Sequence, residues 1–238
     1  MNYILIHGSW HGAWAFSKLT PLLRKKGHTV HCFDLPGSGE DADRATQVTF
    51  NDLILAVADM IKNSDSPSIV VAHSFSGFMA ARVCEELHDK VHHVFYVAAF
   101  LPTEGKSLVD LAVGYNNSDF YQAFVDCGDD RLKALNIEKA ADFFYHDCSA
   151  EDREWAAMRL RPKATQPDSE KMLGIDPVNT LAKSTYILCE NDRVVNPVSQ
   201  RDMARRFGFK DEQIKSIATG HSPFLAKPEE LSSLVCSC

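Results

Sequence analysis

Residues 69–77, Ile69-Val70-Val71-Ala72-His73-Ser74-Phe75-Ser76-Gly77, constrain the fold more than any other stretch of the chain. An apolar, β-branched run leads into a serine, and a helical pattern follows directly behind it. A strand, a tight turn and a helix in that order approach so closely that only small side chains fit two places either side of the serine. Such a turn also forces strained backbone angles on the serine. The strict pattern is G-x-S-x-G; here Ala72 and Ser76 take the glycine places, which keeps the smallness but departs from the motif. Taken alone, the segment also fits a buried strand that ends in a polar turn. As the opening of a helix, Ser74 meets backbone dipoles that favour negative charge developing nearby.

Strand-like and helical patterns alternate through the first hundred residues. Tyr3-Ile4-Leu5-Ile6 is a buried strand ended by His7-Gly8, and a helix is predicted over 14–26, with Gly27 as its C-cap. A second strand covers 29–33, and the loop Asp34-Leu35-Pro36-Gly37-Ser38-Gly39 is dense in turn residues. Leu53, Val57, Met60 and Ile61 mark a helix over 49–62. The third strand spans 68–72, the helix behind it 77–87, and a fourth strand 91–100 is closed by Pro102. Near-continuous apolar strands alternating with helices predict an α/β fold: a mainly parallel sheet covered by helices on both faces. Ligands of such sheets bind outside the carboxyl ends of the strands. His7-Gly8-Ser9, Asp34 and Ser74 all follow strand ends, so one rim is expected to carry them.

The rhythm breaks over 103–183, which is rich in aromatics (Tyr115, Phe120, Tyr121, Phe124, Phe143, Phe144, Tyr145, Trp155) but shows no clear buried strand. An inserted helical cap is expected there, with 1–102 and 184–238 as the core. The sheet resumes at 185–189, a helix follows over 198–207, a last strand over 214–218 and a last helix over 228–235.

At 238 residues the chain suffices for one substantial core. A net charge of −7 and the lack of a basic patch argue against a nucleic-acid partner. The first strand starts almost at Met1, leaving no room for a signal peptide, and no apolar run is long enough to span a bilayer. A cytoplasmic protein without membrane association is therefore expected, export by a signal outside this sequence being the alternative, with a homodimer as the assembly considered. Seven cysteines without a C-x-x-C pair fit neither a disulfide framework nor a zinc site, and Cys236 and Cys238 are given no role. Ten histidines without H-E-x-x-H or paired spacing argue against a metal.

A serine hydroxyl needs a base, and the base needs an orienting group. In a strand–turn–helix serine site these follow in the chain order serine, acid, histidine. Past the cap, Tyr186-Ile187-Leu188-Cys189 runs into Glu190-Asn191-Asp192, and the last strand into Thr219-Gly220-His221-Ser222-Pro223-Phe224. Ser74, Asp192 and His221 are the candidate catalytic set; Asp192 is preferred to Glu190 because it lies in the turn, beyond the strand end. The backbone N–H groups of Phe75 and Ser9 are the candidate oxyanion donors, with the Ser9 hydroxyl as a second contact. Trp10, His11 and Phe224 are candidate pocket residues, a structural role for His11 being an equal reading. His7 and His73 are read as loop braces and Asp34 as a turn brace. His146 and Asp147 either meet substrate or face water.

Four segments carry a resemblance: His7-Gly8-Ser9-Trp10-His11-Gly12-Ala13-Trp14, Asp34-Leu35-Pro36-Gly37-Ser38-Gly39, His73-Ser74-Phe75-Ser76-Gly77, and Gly220-His221-Ser222-Pro223-Phe224. With them the chain resembles the α/β-hydrolase fold, and more narrowly the plant-type methylesterase and hydroxynitrile lyase family with its bacterial esterase relatives. The resemblance covers nearly the whole chain and is weakest in the cap. It implies a cofactor-free serine hydrolase acting through Ser74, Asp192 and His221. Lyases of this family that cleave (S)-cyanohydrins carry a lysine shortly after the histidine. Here Lys227 stands six positions on, beyond Pro223, which favours ester hydrolysis. The expected substrate is a small to medium, partly hydrophobic ester. A cyanohydrin, a thioester, and a ligand held by a receptor with weak turnover remain the alternatives.

Overall fold

A computed structural model describes residues 1–115 and 118–237; Cys238 lies outside the described residues. The first half runs β1 (Asn2–Ile6), α1 (Leu19–Lys25), β2 (Thr29–Cys32), α2 (Phe50–Lys62), β3 (Ser68–His73), α3 (Ser76–Glu86) and β4 (Val91–Val97). Next come α4 (Leu108–Gly114), α5 (Ser118–Tyr121), β5 (Phe124–Val125), β6 (Leu132–Leu135), α6 (Ile137–Phe144), α7 (Ala150–Ala157), β7 (Lys163–Ala164) and α8 (Gln166–Ser169). The chain then returns through β8 (Ser184–Cys189), α9 (Pro197–Phe207), β9 (Ile214–Ile217), α10 (Pro223–Ala226) and α11 (Pro228–Val235).

Six strands form one parallel sheet in the order β2-β1-β3-β4-β8-β9. Period-two alternation divides its apolar strands between two cores. Tyr3, Leu5, Ile69, Val71, Phe95, Val97 and Ile187 face a core that includes Leu19 and Leu23 of α1 and Leu231 and Val235 of α11. Ile4, Ile6, Val70, Ala72, Val94, Tyr96 and Leu188 face the other, with Leu53, Val57 and Ile61 of α2 and Phe78 of α3. Burial on both faces is why these strands read as unbroken apolar runs. From β1 the sheet grows one way to β2 and the other way to β3. The crevice at a topological switch of this kind lies at the carboxyl ends of the strands, here beside the loops that follow β1 and β3.

Three local expectations are corrected. The helix predicted over 14–26 is a 3₁₀ turn, Ala13–Phe16, followed by α1. Pro21 would lose an interior hydrogen bond in the longer helix, but sits in the first turn of α1, where no donor is needed. Gly27 does end α1, at φ +84°, its N–H donating to Arg24 O at 2.9 Å. The fourth strand stops at Val97 rather than 100, because Ala98 turns to φ +45°. The segment between β4 and β8, expected to be mostly helical and without a clear strand, carries α4 to α8 but also strands: β5, β6 and β7 form a small antiparallel sheet. Two of these strands have only two residues and the third carries a charge, so none shows a buried-strand pattern. Phe120, Ala140, Phe144 and Tyr145 from this segment join the first core.

Candidate active site

Ser74 occupies the turn between β3 and α3 at φ +55°, a strained value for a residue with a Cβ. Hydrogen bonds from both sides hold it there: its N–H donates to Val97 O at 3.1 Å, and its carbonyl accepts from Gly77 at 3.1 Å and Phe100 at 3.0 Å. The departures from the glycine pattern have local reasons. Ala72 and Ser76 are fully buried, and Ser76 Oγ lies 2.9 Å from Ile6 O and 2.8 Å from His73 O, sharing its proton between the ends of β1 and β3. At Gly77 a Cβ would collide with the Phe100 carbonyl oxygen, so the closest approach falls one place later than the motif assumes. At Gly8 a Cβ would stand 2.8 Å from Ser74 Cβ and 2.9 Å from His73 Nδ1, so the loop after β1 comes this close to the serine only without a side chain.

His221 is 1% exposed and its Nδ1 donates to Asp192 Oδ2 at 2.7 Å. Asp192, 4% exposed, also accepts at Oδ1 from Val194 N–H (2.7 Å) and Val195 N–H (2.9 Å), and at Oδ2 from Gln200 Nε2 (2.9 Å). Gln200 was not singled out from the sequence. Its amide is oriented by Cys189 N–H, which donates to Oε1 at 3.0 Å, and by Val195 O, which accepts from Nε2 at 2.6 Å. The acid and histidine loops are tied together where Asn191 N–H donates to Thr219 O at 2.9 Å. Glu190, by contrast, is exposed. The remaining imidazole nitrogen, His221 Nε2, is buried and has no hydrogen-bond partner among the described residues, Ser74 Oγ included. His73 connects the two sides. Its ring centroid is 4.6 Å from that of His221, and its Nε2 donates to His221 O at 2.8 Å.

Ser9, Trp10, Ser74 and Phe75 line one cavity of about 830 Å³ including its mouth. Much of its remaining wall is apolar (Leu108, Val109, Phe120, Phe124, Val194, Val195), while Lys133, Lys163 and Asp168 form a charged corner. The backbone N–H groups of Ser9 and Phe75 have no acceptor among the described residues. Trp10 is at φ +63°, its indole donating to Lys133 O at 2.9 Å.

His11 and Phe224, expected at the pocket, pack behind its wall. His11 Nδ1 donates to Ser9 O at 2.7 Å and its Nε2 accepts from Tyr145 O–H at 2.8 Å, an arrangement for a neutral ring. Burial lowers its pKa to about 3. Phe224 is fully buried, its ring edge-on to His73 at 4.9 Å. His7 Nδ1 donates to Gly8 O at 2.8 Å while Nε2 accepts from Leu35 N–H at 3.0 Å; burial lowers the pKa of His7, and lowers that of His73 well below its usual value. Asp34 accepts from Ala13 N–H at 2.6 Å and Glu40 N–H at 2.9 Å, joining two loops. Asp147 accepts from Gly220 N–H at 2.5 Å and so holds the histidine loop, with His146 packed against Gly220. Among the described residues no three His, Cys, Asp or Glu side chains gather as a metal site, and no helix is long and apolar enough to cross a membrane.

Fold and site together define a parallel α/β protein with a buried, strained serine turn at its switch point and a carboxylate-backed imidazole on the same rim. The chain belongs to the alpha/beta hydrolase family, whose model matches residues 3–234. It is 27% identical to Methylesterase 2 of Arabidopsis thaliana, over 97% of this chain and 93% of that protein. It is 26% identical to Salicylic acid-binding protein 2 of Nicotiana tabacum, over 97% and 94%. The crystal structure of polyneuridine aldehyde esterase superposes with a TM-score of 0.85 at 25% identity, covering 99% of this chain and 97% of that one.

Proposed function

We propose that this chain is a carboxylic ester hydrolase that cleaves a small to medium, partly apolar ester through an acyl-enzyme on Ser74. The observation that carries the reading is the orphaned Nε2 of His221. It is the only ring nitrogen left to that imidazole once Nδ1 is committed to Asp192, and its rim also bears the strained serine. The names of the relatives, methylesterases and an esterase, agree with ester cleavage.

In the first half-reaction His221 Nε2 takes the Ser74 proton as Oγ bonds to the ester carbonyl carbon. The carbonyl electron pair moves onto oxygen, where the N–H groups of Phe75 and Ser9 receive it. The intermediate collapses, the C–O bond to the alcohol breaks, and the departing oxygen takes the proton from His221. Water then attacks the acyl carbon with His221 again as base, releasing the carboxylic acid and restoring Ser74. Asp192 keeps the proton on Nδ1 and stabilises the imidazolium. The Ser74–His221 hydrogen bond closes when substrate fills the cavity, as such bonds are often long in empty sites.

Ser74→Ala is expected to abolish p-nitrophenyl butyrate hydrolysis with the melting temperature retained, and a fluorophosphonate adduct is expected on Ser74 by mass spectrometry. Full turnover in the variant, or an adduct elsewhere, removes Ser74 from the reaction. Cyanide release from mandelonitrile without ester hydrolysis would replace the reading with the lyase.

A further inference from the structure

Two lysines stand directly opposite each other across two short strands: Lys133 of β6 pairs with Lys163 of β7. Like charges in that position repel and destabilise a sheet. Both lysines line the cavity that contains Ser74, and among the described residues the only acidic one in its wall is Asp168. Asp168, 3% exposed, forms a short ion pair with Lys163 and a looser one with Lys133, Nζ to Oδ2 3.5 Å. One carboxylate shared by two ammonium groups leaves a net charge of +1 in a mostly apolar chamber.

The two lysines are not equally engaged. Lys163, 7% exposed, donates to Ser9 Oγ at 2.8 Å as well as to Asp168, and its Nζ lies 4.5 Å from the Phe75 ring centroid. Both aromatic and hydroxyl neighbours belong to the proposed oxyanion loops, so the charge sits beside the reacting carbonyl. Lys133 Nζ makes no hydrogen bond among the described residues; it is paired loosely with Asp168 and lies 6.0 Å from the Phe124 ring. Its backbone is pinned by the Trp10 indole, which fixes its distance from the serine loops. An ammonium with unused donors, one cross-strand repulsion and low-dielectric walls gains most from an anion delivered by the ligand.

We propose that Lys133 and Lys163 form an anion-binding corner and that the preferred substrate of this site is an ester bearing a second, carboxylate group, such as the half-ester of a dicarboxylic acid. The inference rests on the ester-hydrolase reading above. The ester carbonyl lies at Ser74, the apolar chain along Trp10, Phe120 and Phe124, and the carboxylate against Lys133.

The test compares monomethyl adipate with methyl hexanoate, which differ only by a terminal carboxylate in place of a methyl group, in the wild type and in Lys133→Met. A charge-assisted hydrogen bond predicts a wild-type kcat/KM ratio of about 10-fold or more in favour of the half-ester. That advantage is expected to fall to about unity in Lys133→Met, chiefly through KM. Lys163→Met, which also removes a buried partner of Asp168, is a second variant with the same expected direction. Hydrolysis of the neutral ester without a preference for the half-ester, or a preference unchanged in Lys133→Met, overturns the anion corner and leaves the hydrolase reading standing. A second measurement does not depend on turnover: adipate should raise the melting temperature of the wild type and not of Lys133→Met. If that shift appears while neither ester is cleaved, the hydrolase reading fails and the corner stands. If adipate raises neither melting temperature, the corner fails.

Discussion

Asp192→Asn isolates the role of a single proton. Every group that faces the Asp192 carboxylate is a donor: the backbone N–H of Val194 and Val195 at Oδ1, and Gln200 Nε2 and His221 Nδ1 at Oδ2. An asparagine offers one oxygen and one amide. With its oxygen kept by the two backbone donors, its NH₂ points at two further donors. Gln200 cannot turn to relieve this, because Cys189 N–H and Val195 O hold its amide in one orientation. His221 can, by moving its proton to Nε2 and accepting at Nδ1. That tautomer carries a hydrogen where the Ser74 proton must go, and a wrong tautomer costs about 10⁴-fold in kcat, or about 5.5 kcal/mol. Stability should fall by only about 1–3 kcal/mol for the unsatisfied Gln200 donor. At this chain length that corresponds to a few degrees of melting temperature. The assay is kcat for p-nitrophenyl butyrate beside a thermal melt, with Glu190→Gln as the control, expected within about twofold because the side chain is exposed. An asparagine variant that keeps more than a tenth of wild-type kcat, or an equal loss in Glu190→Gln, would refute the argument.

Two further outcomes follow from the same packing. Gly8→Ala places a methyl group 2.8 Å from Ser74 Cβ, so the loop carrying the proposed Ser9 donor must withdraw; kcat should drop by about 10²-fold or more while secondary structure by circular dichroism is kept, and near-normal turnover would show the loop to be free to shift. His11, with a folded pKa of about 3, and the similarly buried His7 and His73 take up protons in the unfolded chain before the folded one, so the stability they confer is full above about pH 6.5 and is lost as pH falls below it, for His11 down to about 3. Urea unfolding between pH 7 and pH 5 should show falling stability, with a slope up to about 1.4 kcal/mol per pH unit for each histidine and a smaller slope in His11→Asn; a stability that rises on acidification contradicts it.

The sheet and the polar ends of its strands were legible in the amino-acid order for a physical reason. A parallel strand buried on both faces must be apolar throughout, so Tyr3–Ile6, Ile69–Ala72 and Tyr186–Cys189 announce themselves, and the first polar groups beyond them necessarily share a rim. That much places Ser74, Asp192 and His221 near one another without coordinates. Packing over long sequence distances left no such trace. Gln200 looks like any polar residue on a helix, yet its amide is buried and fixes Asp192. His11 and Phe224 flank the candidate catalytic motifs in sequence but pack behind the cavity wall, against Tyr145 and His73. Lys133 and Lys163, thirty residues apart, face each other only because strands too short to show a periodic pattern pair beside the cavity. Local pattern reports what each segment must bury; which polar groups then meet is set by how the buried segments stack.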